Sequence, residues 1–460
     1  MIHLFRVQLV WRPMVRPFFR YWLIGAVLAS GAGQALAFDL LHAYRAAVSG
    51  DATYLAAQST AEAAREAIPQ ALGNLLPSLG LSGSKSRNVL EQQTTNIFGL
   101  ATNNYRYPAA SWALNLRQPV FRLGSVAQYF QAEAQVSAAE ATLDKETQDV
   151  AMRVAGAYFD AVLALERLNL VVAQKGFYAA QQTMAQRALK AGTGTRTDID
   201  EAKARYDMSA AQEIEVRNQV GETERSLRAV VNQPVVATAL HPIDPQRLKL
   251  DAPDPVSLDA WISHAENENP ELRTARANLE AARQEINKDR AAHLPTVDLV
   301  ASKSYSDSDN INSVGYINRA TSLGIQLNIP LYSGGQVNSA VRQAVANQER
   351  ARQQLEAARR QLEVNVSKEF NSVAQGVPKV RAQEQAVRSA EQALLSTVKG
   401  IQAGTRTTVD VLNAQQQLAS AKLDLARSRM EYVMARLRLK AVAGSLLESD
   451  IQQANSWLAL

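Results

Sequence analysis

Apolar and polar positions along this chain follow two periods, and the switch between them happens twice. From Phe38 to about Leu76, Leu40, Leu41, Tyr44, Val48, Leu55 and Ala56 recur at helical spacing. Ala63, Ala64 and Ala67 continue the stripe until Pro77 ends it. The period then falls to two. Ser78, Gly80, Ser82, Ser84 and Ser86 alternate with Leu79, Leu81, Gly83 and Lys85, giving one small polar face and one apolar face. A polar loop is predicted over about 88–105. A second strand follows over about 109–121, where Trp112, Leu114 and Leu116 alternate with Ala113, Asn115 and Arg117. Residues 124–190 then form a proline-free helical run, which at about 1.5 Å per residue reaches about 100 Å. A globule has no use for a helix of that length. A glycine-containing turn and a return helix over about 198–232 complete the unit.

The same order recurs. After a proline-rich extended linker over 233–257, residues 258–292 are helical. Val297, Leu299 and Ala301 then alternate with Asp298, Val300 and Ser302, a polar loop covers about 306–318, and Leu323, Ile325, Leu327 and Ile329 alternate with Ser322, Gly324, Gln326 and Asn328. A long helix over 335–403, expected to kink near Gly376 and Pro378, leads to a second turn and a return helix over 409–443. The two turns align without a gap: Ala191-Gly192-Thr193-Gly194-Thr195-Arg196-Thr197-Asp198 against Ala403-Gly404-Thr405-Arg406-Thr407-Thr408-Val409-Asp410. An internal duplication is predicted, with repeats at 38–232 and 258–443 and a tail at 444–460. The β-hairpins are placed at about 77–121 and 295–332.

Residues 1–37 read as an export signal. Arg6, Arg12, Arg16 and Arg20 precede an apolar core from Tyr21 to Ala32 and a small-residue cleavage site at Ala35-Leu36-Ala37. The alternative, a membrane anchor, is disfavoured because the apolar run falls short of the ~20 residues that span a bilayer. Removing four arginines takes the net charge from +5 to about +1, so basicity is no argument for nucleic-acid binding. The chain has no cysteine, which excludes disulfides, thiolate metal sites and a lipidated N-terminal cysteine. His3, His42, His241, His264 and His293 are scattered without metal-ligand spacing. Gly192-Thr193-Gly194 follows a helix instead of a strand, so a phosphate cradle is not expected either. Neither a cofactor nor a catalytic residue is called for.

Strands of ten or so residues suit a tilted membrane hairpin, with Tyr105, Tyr107, Trp112, Phe121, Tyr305, Tyr316 and Tyr332 as candidates for the aromatic girdles. Four strands cannot close a barrel, and hydrocarbon tolerates no open edge. Several copies must share one barrel; three would give about twelve strands and the beginnings of a lumen. The rival reading is a periplasmic coiled-coil scaffold or adaptor with soluble hairpins.

Taken in order, these features resemble the TolC family of outer-membrane channel-tunnel proteins. The specific stretches are AGTRTTVDVLNAQQQL from Ala403, LARSRMEYVMARLRLKAVAGSL from Leu425, Leu75-Leu76-Pro77-Ser78-Leu79 and Gln118-Pro119-Val120-Phe121. The resemblance implies a mixed fold: a membrane β-barrel, twelve-stranded in a homotrimer, above an all-α tunnel that crosses the periplasm. It also implies a periplasmic adaptor and an inner-membrane ABC transporter docking at the tips (Gly192, Thr193, Gly194, Thr195, Arg196, Gly404, Thr405, Thr407). Within the family the chain looks most like the type I secretion branch, which exports polypeptides; small-molecule efflux is the alternative. By position, the resemblance assigns Thr197, Asp198 and Arg406 to a latch that closes the tips. Ile401 stands where the family carries a tyrosine, so one latch hydrogen bond is missing. Asp410 matches one acid of a bore ring, and Asn413 replaces the other, which weakens the ring. The competing account for these aspartates is helix capping, since Thr195-x-x-Asp198 and Thr407-x-x-Asp410 are capping boxes.

Overall fold

The computed structural model describes residues 38–309 and 315–459, so the signal expected at 1–37 lies outside the described residues. Each half of the chain runs helices, hairpin, long helix, return helix. The first has α1 (Leu40–Gly50), α2 (Ala52–Arg65), α3 (Ala67–Gly73), β1 (Ser78–Asn96), β2 (Gly99–Phe121), α4 (Leu123–Lys190) and α5 (Arg196–Val231). The second has α6 (Leu258–Glu268), α7 (Pro270–Ala291), β3 (Thr296–Asp309), β4 (Gly315–Asn328), α8 (Gln336–Gln402), α9 (Thr408–Val442) and α10 (Glu448–Asn455).

The helical run expected over 38–76 is broken into three, and that over 258–292 into two. Two of the three breaks are capping residues inside the runs; at the third, Glu66 between α2 and α3, no side chain caps the helix start. Asp51 ends α1 and accepts from the Thr53 and Tyr54 amides at 2.7 and 2.9 Å; Arg153 of α4 reaches the same carboxylate at 3.3 Å. Asn269 caps α7, with Pro270 in its first turn, and its amide donates to the Val442 carbonyl at 2.8 Å. Each break therefore bends a helix to follow a long one. By contrast α8 runs helical straight through Pro378. Gly376 serves a different purpose there: a Cβ on it would lie 2.9 Å from the Tyr432 ring of α9.

The four strands form one antiparallel sheet in the order β1-β2-β3-β4. Near the helices its two faces differ in character. Leu79, Leu81, Leu114, Leu323, Ile325 and Leu327 stand exposed on one. Serines cross-pair on the other, Ser84 with Ser111 at 2.9 Å and Ser302 with Ser322 at 2.8 Å. The polar loop expected over 88–105 is instead strand: β1 and β2 stay in register out to Asn96↔Gly99. Its Asn, Gln and Thr residues have no apolar face to alternate against, so pairing there left no period to read. The 19 residues of β1 rise roughly 45 Å when tilted, against an apolar band of ~25 Å, so this hairpin overshoots a membrane by roughly 20 Å.

The register also sorts the aromatic residues. Trp112 stacks on Tyr305 across the strands, centroids 6.2 Å apart, on the leucine face; Phe121, opposite Val297, shares that face. Tyr332 follows β4 and is 88% exposed. Tyr105, Tyr107 and Tyr316 fall on the serine face instead, because one residue of parity flips a side chain across the sheet. They are removed from the girdle on that ground.

At the foot of the sheet the buried Asp298 is gripped by two arginines, Arg122 at 2.8 and 2.7 Å and Arg117 at 3.1 and 2.6 Å. Arg122 is the residue before α4, so this cluster rivets strand to helix. Arg117 is half exposed, which discounts the pair's worth. Asp298→Ala is expected to cost about 2 kcal/mol. The temperature at which the purified barrel loses its compact form on a gel should fall accordingly.

Along the helices, α4 packs on α7 in its sheet-proximal part and on α5 beyond; α8 packs on α7 and α9 in the same way. The seam is rich in alanine: Ala151, Ala155 and Ala161 are at most 3% exposed. The linker and tail expected at 233–257 and 444–460 are not free segments. Ile243 bridges Leu458, the Asp244 amide donates to the Trp457 carbonyl at 2.8 Å, and Leu458 is fully buried. Two phenols strap this belt to the wall. The His241 amide donates to the Tyr158 hydroxyl at 3.0 Å, and the Asp251 amide to that of Tyr432 at 2.9 Å. Burial raises the pKa of Tyr158 well above its ordinary value.

Candidate gate at the helical tips

Both long helices end in the same way. Gly192 and Gly404 take positive φ, 76° and 72°, which glycine accepts without a Cβ penalty. The following threonine amide reaches back to the carbonyl five residues earlier, Thr193 to Ala188 at 3.0 Å and Thr405 to Gly400 at 2.9 Å. The return helices start on reciprocal capping boxes. The Thr195 hydroxyl accepts from the Asp198 amide at 3.2 Å, and the Asp198 carboxylate accepts from the Thr195 amide at 3.1 Å. Thr407 and Asp410 repeat this at 3.3 and 2.9 Å. Capping is therefore one role these aspartates have; it leaves a second role open.

Two differences between the tips are coupled. Gly194 of the first aligns with Arg406 of the second, and Ala188 with Gly400. A Cβ on Gly194 would come within 2.9 Å of the Ala188 side chain. A Cβ on Gly400 would come within 2.6 Å of the Arg406 Cγ. The turn has room for one of the two side chains. Gly400 is thus the space into which the stem of Arg406 folds.

Within one chain the expected Asp198–Arg406 pair does not form. Asp198 is held by Thr195, whose hydroxyl donates to it at 2.6 Å. Arg406 and Thr197 are exposed, as is Ile401 at 36%. Among the described residues Arg406 forms no ion pair within the chain. Arg196 pairs only with its own helix, at 3.4 Å to Asp200.

Arg205 is a residue that sequence reasoning missed. From α5 it donates to Asn413 at 3.0 Å and to Gln416 at 2.7 Å, both on α9, while Glu201 steadies it at 3.2 Å. Asn413 is thus the acceptor of a clasp between the two return helices. No sequence signal marks this, because the α5–α9 contact exists only after folding.

The carboxyl of Asp198 is held below its ordinary 3.8 by the Thr195 hydroxyl first, against burial, with the Thr195 amide and Thr408 adding to it. Asp410 is lowered by the Thr407 amide first, then its hydroxyl and nearby Arg406. A carboxylate lowered on folding stabilises the native cap above its unfolded pKa and loses that as pH falls through the folded one. Amide protection at the starts of α5 and α9, corrected for intrinsic exchange, should be flat above about pH 5 and drop below about pH 4.

The sequence profile described as "Outer membrane efflux protein" matches residues 43–233 and again 261–445. This chain belongs to that family. The chain is 34% identical to the alkaline protease secretion protein AprF of Pseudomonas aeruginosa, covering 94% of this chain and 89% of that one. It is 32% identical to the proteases secretion protein PrtF of Dickeya chrysanthemi, over 95% and 94%. It is 30% identical to the outer membrane protein TolC of Escherichia coli, over 95% and 88%. Its fold is that of the outer membrane protein VceC from Vibrio cholerae, with a TM-score of 0.73, 20% identity and coverage of 88% and 96%. This efflux protein is accordingly a channel protein of the outer membrane. Its sheet lies in that membrane and its helices extend into the periplasm, with the tips farthest from the sheet. No described helix is long and apolar enough to cross a membrane.

Proposed function

We propose that this channel is the exit duct of a type I secretion system, a homotrimer that passes unfolded polypeptide from an inner-membrane ABC transporter and a periplasmic adaptor to the outside. The observation that carries this reading is its full-length similarity to two proteins named for protease secretion. The sheet supports the trimer. Its edges, β1 and β4, are unpaired in one chain, and an open edge in hydrocarbon leaves backbone groups without partners. Three copies join these edges into about twelve strands with the serine face around a wet bore.

At the tips, three copies bring Arg406 of each second tip toward Thr197 and Asp198 of a neighbouring first tip. A charge-assisted contact there closes the duct and yields to a docking adaptor, which engages Gly192, Thr193, Gly194, Thr195, Arg196, Gly404, Thr405 and Thr407. Asp410 contributes one carboxylate per chain to the narrowest ring, a weaker cation filter than two would make. Small-molecule efflux is the second reading, favoured by the family's own description. Deletion of the gene separates them. Loss of a secreted polypeptide from the medium with unchanged drug susceptibility is expected; drug hypersensitivity with normal secretion reverses the order.

A further inference from the structure

The leucine face of the sheet does not stay apolar. On each of the four strands its alternation runs from apolar residues near the helices to a cation farther out. On β1, Leu79 and Leu81 give way to Lys85 and Arg87; on β2, Leu116, Leu114 and Trp112 to Arg106. On β3, Val297, Leu299 and Ala301 give way to Lys303; on β4, Leu327, Ile325 and Leu323 to Arg319. All five cations are exposed, and among the described residues none forms an ion pair within the chain. Glu91, Asp307 and Asp309 are the carboxylates at register positions of the same face, and the Asp307 carboxylate accepts from the Tyr305 hydroxyl at 3.3 Å. Arg319 is held in place: its guanidinium lies 5.9 Å over the Tyr305 ring, which itself stacks on Trp112. A face in hydrocarbon does not carry unpaired arginines, so this belt marks where the hydrocarbon ends.

We propose that this outward basic belt binds the phosphate groups of a phosphorylated glycolipid in the outer leaflet of the outer membrane. The belt lies on the lipid side of the strands; Lys85, Arg87 and Arg319 cluster just beyond the apolar band on the side away from the helices, with Lys303, opposite Leu114, nearer the helices and Arg106, opposite Val89, farther out. With the helices in the periplasm, that is the level of the outer-leaflet headgroups. Five cations against three carboxylates per chain complement anionic phosphates, and the Trp112–Tyr305–Arg319 stack presents one guanidinium already oriented, at the depth where aromatic rings sit against headgroups. The ligand supplies the anions that the chain itself leaves out.

The test is native mass spectrometry of the purified full-length protein, titrated separately with bis-phosphorylated lipid A, its dephosphorylated counterpart and phosphatidylglycerol. Wild-type protein is expected to retain the bis-phosphorylated lipid on the order of tenfold or more over the other two. A Lys85→Gln, Arg87→Gln, Arg319→Gln triple variant is expected to lose that preference while its single-channel conductance in bilayers is unchanged. Equal retention of the dephosphorylated lipid overturns the proposal, as does equal retention of phosphatidylglycerol or a triple variant that binds like wild type. If the triple variant does not assemble, the three-lipid comparison on wild-type protein decides alone.

Discussion

Arg406→Ala is expected to raise the open fraction of the purified channel about tenfold, read as more frequent or larger openings in planar bilayers. The estimate takes one charge-assisted contact at about 1–2 kcal/mol, and about 1.4 kcal/mol is a factor of ten in an open–closed ratio. A second variant isolates the cause. Gly400→Ala leaves every charge in place, yet its new Cβ would fall 2.6 Å from the Arg406 Cγ. The arginine stem must swing out of its slot, and the guanidinium loses its reach. Gly400→Ala should therefore open the channel in the same direction as Arg406→Ala, and add little when combined with it, because both remove one interaction. If Gly400→Ala behaves as wild type while Arg406→Ala opens the pore, the slot does not position the arginine. If neither variant moves the conductance, the latch is elsewhere.

Arg205→Ala should have the next largest effect. This side chain links α5 to α9 through Asn413 and Gln416 at 3.0 and 2.7 Å. Its loss frees one return helix from the other within a single chain, whereas the proposed Arg406 contact acts between chains. The two should therefore combine, so that Arg205→Ala with Arg406→Ala opens the pore by roughly the product of the separate factors. Removing this cation near Asp410 should also increase the preference for cations, seen as a shift in reversal potential under a salt gradient. Arg205→Lys keeps the charge but loses the two-pronged grip, so it should restore selectivity better than closure. Unaltered reversal potentials in Arg205→Ala would place this clasp away from the ion path.

The two sites were unequally legible. The tip aspartates were visible because capping is local chemistry: a threonine hydroxyl and an aspartate three residues on find each other within one turn. The glycines at 192 and 404 were visible for the same reason. Arg205 and Gly400 were not, since each matters through a residue whose proximity depends on how helices lie together. The Asp198–Arg406 pairing was anticipated as a contact between tips. A single chain spends Asp198 on Thr195 instead, and Arg406 stays exposed.

On its own, the order of residues determined the long helices, the four strands, the two turns and the doubled plan, because each rests on a period or a cap that repeats within a few residues. Only the tertiary structure decided the rest. It carried the strands on past 88, where residues polar on both sides leave no alternation to detect. It turned Tyr105, Tyr107 and Tyr316 away from the leucine face, since parity is counted from a register the chain alone does not fix. It gathered the proline-rich segment and the tail into one packed belt through Ile243 and Leu458. Those contacts join residues more than two hundred positions apart, and no local period encodes which distant partner a buried side chain will meet.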